Sequence, residues 1–215
     1  MTFDQIYKIL EARFKEFPTP VVDFIEAQTK DPFKILVATI LSARTKDETT
    51  TKVVRELFKV VQKPQDLLNY TIAELEEMLY PVGFYKNKAL YLSKLPGVLQ
   101  EEFNNEIPEE IEELIKLPGV GRKTANLVRS SAFNKPAVCV DVHVHRIFNR
   151  LGMLITKNPL ETEMTLRKEL PVKYWIHFNS YFVAFGQDLC TPRRPKCSEC
   201  PIYDGCSRIG VKVSR

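Results

Sequence analysis

The chain has 215 residues, of which 44% are apolar and 27% charged, with five cysteines and a net charge of +4. That length and balance exclude a disordered chain and allow one large domain or two small ones. The longest apolar stretch, near residues 35–41, is far too short to span a bilayer, and the N-terminal MTFDQIYKILEARF lacks a signal-peptide core, so a cytoplasmic protein with no membrane partner is expected.

Apolar residues recur at three and four in Phe3–Phe14, Phe33–Leu41, Val53–Val61, Ile72–Leu79, Ala89–Leu99 and Ala125–Phe133, a helical period. Asp31-Pro32 is a good helix start, with a capping side chain before a proline of the first turn. Asp47 offers a second cap, and Thr71 a third, with Glu74 placed for a capping box. Val138–Val144 would pass for a strand, but the pattern through Arg146–Leu151 favours a helix that opens near Asp141. There is no convincing set of alternating strands, no repeat and no low-complexity linker, so an all-α protein is expected.

Charge is uneven along the chain. Glu109, Glu110, Glu112 and Glu113 form an acidic block, and the run Lys116–Arg129 that follows holds Lys116, Arg122, Lys123 and Arg129 with no acid. Within it, Leu117-Pro118-Gly119-Val120-Gly121 would close one helix, and Arg122-Lys123 would open the next. Gly119 and Gly121 permit a tight turn and the close approach of another backbone. The amides after Gly121 would then face outward at a helix N-terminus, where the dipole favours a phosphate. A bare P-G-V-G suits any interhelical turn, but with Arg122-Lys123 it reads as a helix-hairpin-helix clamp on a nucleic-acid backbone. A nucleotide P-loop needs a different spacing.

Cys190, Cys197, Cys200 and Cys206 are spaced C-x6-C-x2-C-x5-C. Nothing else suggests secretion, so a disulfide framework is disfavoured. Structural zinc sites usually separate two ligand pairs by a dozen or more residues. Four thiolates on one short loop suit a [4Fe-4S] cluster, one cysteine per iron, with zinc as the alternative. Arg193, Arg194 and Lys196 make the same loop basic, a second place for phosphates. Cys139 stands alone in an apolar run and reads as a small buried hydrophobe.

Three motifs in order, LPGVGRKTAN at 117–126, VDVHVHR at 140–146 and the cysteine loop, resemble the endonuclease III family of helix-hairpin-helix DNA glycosylases. The likeness begins at Ile40-Leu41-Ser42-Ala43-Arg44 and covers nearly the whole chain. It implies a six-helix domain over residues 23–133 and an iron–sulfur domain made of 1–22 plus 134–215, with a DNA cleft between them. It assigns catalysis to Lys123 and Asp141. It makes His143 a wall of the site or a DNA contact; His145 is left open, a helix-surface histidine being one reading. Where the family has a glutamine that fills the gap left by an extruded nucleotide, this chain has Arg44, and at the position of the apolar wedge it has Phe84.

The residue types fit that chemistry. Cleaving a glycosidic bond builds positive charge on the sugar, which a carboxylate such as Asp141 stabilises. A neutral lysine can displace the base and leave a Schiff base, which permits β-elimination of the strand. The helix N-terminus and Arg122 both work against a positive charge on Lys123. The expectation is a monomeric base-excision DNA glycosylase with AP lyase activity on oxidised pyrimidines and abasic sites in duplex DNA, of prokaryotic type and associated with the nucleoid. The alternatives are a monofunctional uracil or mismatch glycosylase, and a DNA-binding module without catalysis, which would not need Lys123 with Asp141.

Overall fold

The computed structural model describes residues 1–215 and is helical with no β-strand, the all-α class that the periodicity predicts. In chain order the helices are α1 (Phe3–Arg13), α2 (Val21–Thr29), α3 (Pro32–Ser42), α4 (Asp47–Val60), α5 (Ile72–Leu79), α6 (Tyr85–Phe103), a single turn α7 (Ile111–Leu114), α8 (Arg122–Phe133), α9 (Val142–Leu151), α10 (Pro159–Glu169) and α11 (Phe178–Asp188). They form two compact units. One is Val21–Ala137; the other joins Met1–Pro20 to Val138–Arg215.

In the unit Val21–Ala137, α3 is the central helix. Phe33 and every residue from Ile35 to Leu41 are buried, because α2, α4, α6 and α8 all pack on it. A helix covered on all sides needs apolar residues all round, as the sequence here supplies. Across from it, α6 turns Leu92, Leu95 and Leu99 inward, each fully buried at helical spacing. Truncating any one to alanine would cost about 2–5 kcal/mol, from lost burial and the cavity left behind.

Caps fix where these helices begin. Asp31 Oδ1 accepts from Phe33 N at 2.9 Å, and Thr71 with Glu74 forms the expected reciprocal box. Asp47 is a correction. It is the first helical residue of α4 with Lys46 as the cap, and its Oδ2 accepts from Val21 N at 3.1 Å. Its carboxylate satisfies an orphan amide at the start of a different helix, α2.

The second unit is an aromatic core. Phe148, Phe178, Phe182 and Phe185 are fully buried, and Phe3 of α1 stacks on Phe148 and Phe182 with centroids 5.7 and 6.1 Å away. Ile6, Tyr7 and Leu10 continue that face of α1, and a Thr2–Gln5 capping box starts the helix. The segment 138–141 is buried but is not a strand. Cys139 O accepts from the Asn179 amide at 3.1 Å, so a side chain takes the place of a sheet partner. The Cys139 side chain is the buried hydrophobe expected.

Candidate nucleic-acid interface and metal centre

The hairpin is built on Leu114, Leu117 and Val120, whose side chains are buried beneath it. Its two glycines do different work. Gly119 has φ +77°, and a Cβ there would lie 2.5 Å from Tyr91 Cδ2, so the turn itself excludes any larger residue. Gly121 has φ −96°, and a Cβ would meet nothing within 4 Å. Of the two uses expected of the glycines, the tight turn falls to Gly119, and Gly121 leaves open space beside the backbone at the start of α8. It supplies no side-chain cap there, and Arg122 and Lys123 on the first turn are exposed.

At the end of that run and just beyond it, two cations pair with the acidic block. Arg129 Nη1 pairs with Glu110 at 2.6 Å and donates to Glu109 O at 3.1 Å, and Lys135 pairs with Glu109. The acidic block thus neutralises Arg129.

Asp141 is the N-cap of α9 and only 8% exposed. Its Oδ1 accepts from His143 N at 2.8 Å and from Val144 N at 2.9 Å, which fixes the carboxylate at the positive end of the helix. His143 lies over Gly186 of α11, where a Cβ would come within 2.8 Å of its Nδ1, and that nitrogen is 3.1 Å from Arg146 Nη2. His145 is not a surface histidine. Its Nδ1 is 2.8 Å from Thr162 Oγ1 in a part-buried network with Asn149 and Thr156.

Arg44 and Phe84 come together. Both are exposed, and the guanidinium carbon sits 5.4 Å from the phenyl centroid. Both hold left-handed backbone, φ 56° and 58°, which costs a non-glycine residue about 1–2 kcal/mol. Phe84 is 58% exposed, so it is not a core residue. An exposed aromatic and an exposed arginine, each on strained backbone, are common at sites that serve a ligand.

All four clustered cysteines line one cavity, with Ile147, Leu151, Phe185, Leu189, Ile202 and Val211 as its apolar wall. None is in a disulfide. Four thiols lining one cavity suit a cluster in which each sulfur takes its own iron. Burial pushes the Cys200 thiol up to about 11 and raises Cys206, so thiolates in this pocket call for compensating positive charge. Sequence reasoning passed over the two arginines of α9 that set the loop. Arg146 donates to Gly186 O and Cys190 O at 2.9 and 2.8 Å. Arg150, buried, donates to Thr191 O and Pro192 O at 2.7 Å each and lies 3.3 Å from Cys190 Sγ. On the loop Arg193 and Arg194 are exposed, while Lys196 is held by Asp188 at 2.9 Å.

Residues 37–172 match the HhH-GPD superfamily of base excision DNA repair proteins, and residues 190–206 match the iron–sulfur binding domain of endonuclease III. The chain is 44% identical to endonuclease III of Thermotoga maritima over 82% of its own length and 83% of that protein's. It resembles a solved non-covalent endonuclease III–DNA complex with a TM-score of 0.84 at 38% identity, covering 97% of this chain and 96% of that one. A trapped endonuclease III–DNA covalent intermediate, an estranged-adenine complex, gives a TM-score of 0.81 at 37% identity with 97% of each chain covered. The chain belongs to the endonuclease III family, and its cysteine loop is an iron–sulfur site.

Proposed function

We propose that this member of the family removes oxidised pyrimidines from duplex DNA and cleaves the strand at the resulting abasic site, with Lys123 as nucleophile and Asp141 as the stabilising carboxylate. Family membership makes it a base-excision DNA glycosylase with lyase activity. The lesion class and the residue roles are our reading. The observation that carries it is the position of Lys123. It is exposed, on the first turn of α8, two residues after the open backbone at Gly121. A clamp on the phosphates there brings an amine to the sugar backbone.

In the reaction the Lys123 amine, neutral at attack, bonds to the anomeric carbon as the base leaves with the glycosidic electron pair and takes up a proton. Asp141 offsets the positive charge that grows on the sugar. The nitrogen then gives up its proton and the C1′–O4′ bond of the sugar ring breaks, O4′ taking up a proton, which leaves an imine that acidifies the adjacent sugar proton. Loss of that proton expels the 3′ phosphate, and water then frees the lysine. Cys190, Cys197, Cys200 and Cys206 would hold the iron–sulfur group, which would tie the basic loop that bears Arg193 and Arg194 to the fold.

A panel of duplexes, each with one oxidised pyrimidine, uracil, a mismatched thymine or an abasic site, separates the readings if base release and nicking are assayed independently. Release and nicking together on oxidised pyrimidines is the expected result. Release of uracil or mismatched thymine without nicking would favour a monofunctional enzyme.

The hairpin has its own test. Asp is a favoured N-cap, so Gly121→Asp should leave stability unchanged or slightly higher. It also places a negative charge where a phosphate would lie. Affinity for undamaged duplex, read by fluorescence anisotropy at fixed salt, should fall about tenfold or more. Gly119→Ala should instead lose about 1–3 kcal/mol in urea unfolding, because it forces positive φ and a clash with Tyr91. Normal duplex binding by folded Gly121→Asp would remove the hairpin from the interface.

A further inference from the structure

Lys88 is only 4% exposed, yet no carboxylate pairs with it. Its Nζ donates to Leu41 O at 2.9 Å, Ala43 O at 2.6 Å and Thr45 Oγ1 at 3.2 Å. An ammonium has three protons, and each has a named acceptor. Two of these acceptors are carbonyls at the C-terminal end of α3, where helical partners run out. Burying a charge so costs several kcal/mol before its hydrogen bonds offset it. A neutral C-cap would close the helix without that penalty.

What the charge holds explains its use. The turn 41–45 carries Arg44. Thr45 Oγ1, bound by Lys88, also accepts from Gly83 N at 3.1 Å, so one hydroxyl joins this turn to the one that presents Phe84. The two backbones touch: a Cβ on Gly83 would lie 2.6 Å from Arg44 O. Arg44 and Phe84, both on left-handed backbone, then meet in their cation–π contact. Left to itself, neither turn would favour that conformation.

We propose that Lys88 is a positioning residue for opening the duplex: with Thr45 it locks the two turns so that Arg44 and Phe84 are already set to fill the space left by an extruded nucleotide. This rests on the gap-filling reading of Arg44 and Phe84. Burial pushes the lysine's pKa down to about 8, so it still carries its proton at neutral pH. The role is organisational, since the ammonium faces protein acceptors and its partners lie beneath the exposed pair.

The probe is a duplex with a non-cleavable tetrahydrofuran abasic site opposite 2-aminopurine, whose fluorescence rises when it is unstacked. The wild type, Lys88→Met, Lys88→Arg, Thr45→Val, Arg44→Ala and Phe84→Ala are compared at saturating protein, with thermal unfolding and undamaged-duplex affinity as controls. Lys88→Met and Thr45→Val should make the opened complex about tenfold less favourable, the effect of one lost charge-assisted hydrogen bond. Undamaged-duplex affinity should stay at the wild-type value, and Lys88→Arg should restore much of the signal. If Lys88→Met does not fold, Thr45→Val decides. Wild-type fluorescence from a folded Lys88→Met or from Thr45→Val overturns the proposal. If Arg44→Ala and Phe84→Ala also leave the signal unchanged, the gap-filling reading has failed. If those two lower it while the Lys88 and Thr45 variants do not, only the role of Lys88 has.

Discussion

Lys123→Gln should bind damaged duplex as the wild type does and lose strand cleavage altogether. Glutamine keeps a similar length and a hydrogen-bonding end, but its amide nitrogen cannot form an imine. The hairpin contacts proposed through Gly121 and the α8 amides would be backbone contacts and would survive the change. Borohydride should trap wild-type protein covalently on DNA with an oxidised pyrimidine or an abasic site, and should trap no Lys123→Gln protein. Loss of a covalent nucleophile removes a step rather than weakening it, so a drop of at least about a thousandfold in nicking is expected. Asp141→Asn separates the second role. It should slow base release more than cleavage at a preformed abasic site, since the charge matters most while the sugar becomes cationic. The amide oxygen can still accept from His143 N and Val144 N, so α9 keeps its cap and the fold its stability. Efficient trapping in Lys123→Gln would reassign the nucleophile. Equal slowing of both steps by Asp141→Asn would make that residue a cap alone.

What could be read from the sequence was local chemistry. The hairpin, the Asp31 and Thr71 caps and the cysteine loop each lie within a few residues, and spacing is their whole geometry. What escaped depends on partners far along the chain. Asp47 caps an amide 26 residues away, and His145 finds Thr162 17 residues on. No local pattern encodes either pairing. Lys88 did leave a signal. It stands in line with Leu92, Leu95 and Leu99 on the buried face of α6, where a lysine is out of place unless its charge is engaged. Helices α2 and α10 were passed over because each buries only three residues, and α10 buries Thr162 and Glu163 beside Leu166. The stripe Phe178, Phe182 and Phe185 of α11 has helical spacing and was legible but unread. The division of labour between Gly119 and Gly121 was also invisible, because a glycine's sequence symbol does not carry its φ or its neighbours.

Cys200→Ser should produce a colourless protein that has lost its iron and the order of residues 190–206. The wild type, purified without oxygen, should absorb in the visible and carry about four irons and four acid-labile sulfides per chain, one iron for each cysteine. The size of the effect follows from packing. Cys190, Cys200 and Cys206 sit against the aromatic core of their unit, and Ile202 between them is 1% exposed. Arg146, Arg150 and Asp188 hold residues 190–196, but beyond them the loop has only the short turns Cys197–Glu199 and Tyr203–Gly205. The metal group therefore supplies folding energy for the loop, as closed structural metal sites do, and a missing ligand withdraws it. Serine is close in size to cysteine but a poor ligand for iron, so the substitution tests ligation rather than volume. Arg150 should report the change directly: once the loop loosens, its bonds to Thr191 O and Pro192 O lose their anchor, and hydrogen exchange should rise across 190–206 while α1 to α8 stay protected. DNA affinity should fall in parallel, since Arg193 and Arg194 would no longer be presented on a fixed loop. One zinc per chain and no visible absorption in the wild type would overturn the four-iron assignment. A Cys200→Ser protein with unchanged iron content would mean that Cys200 is not a ligand.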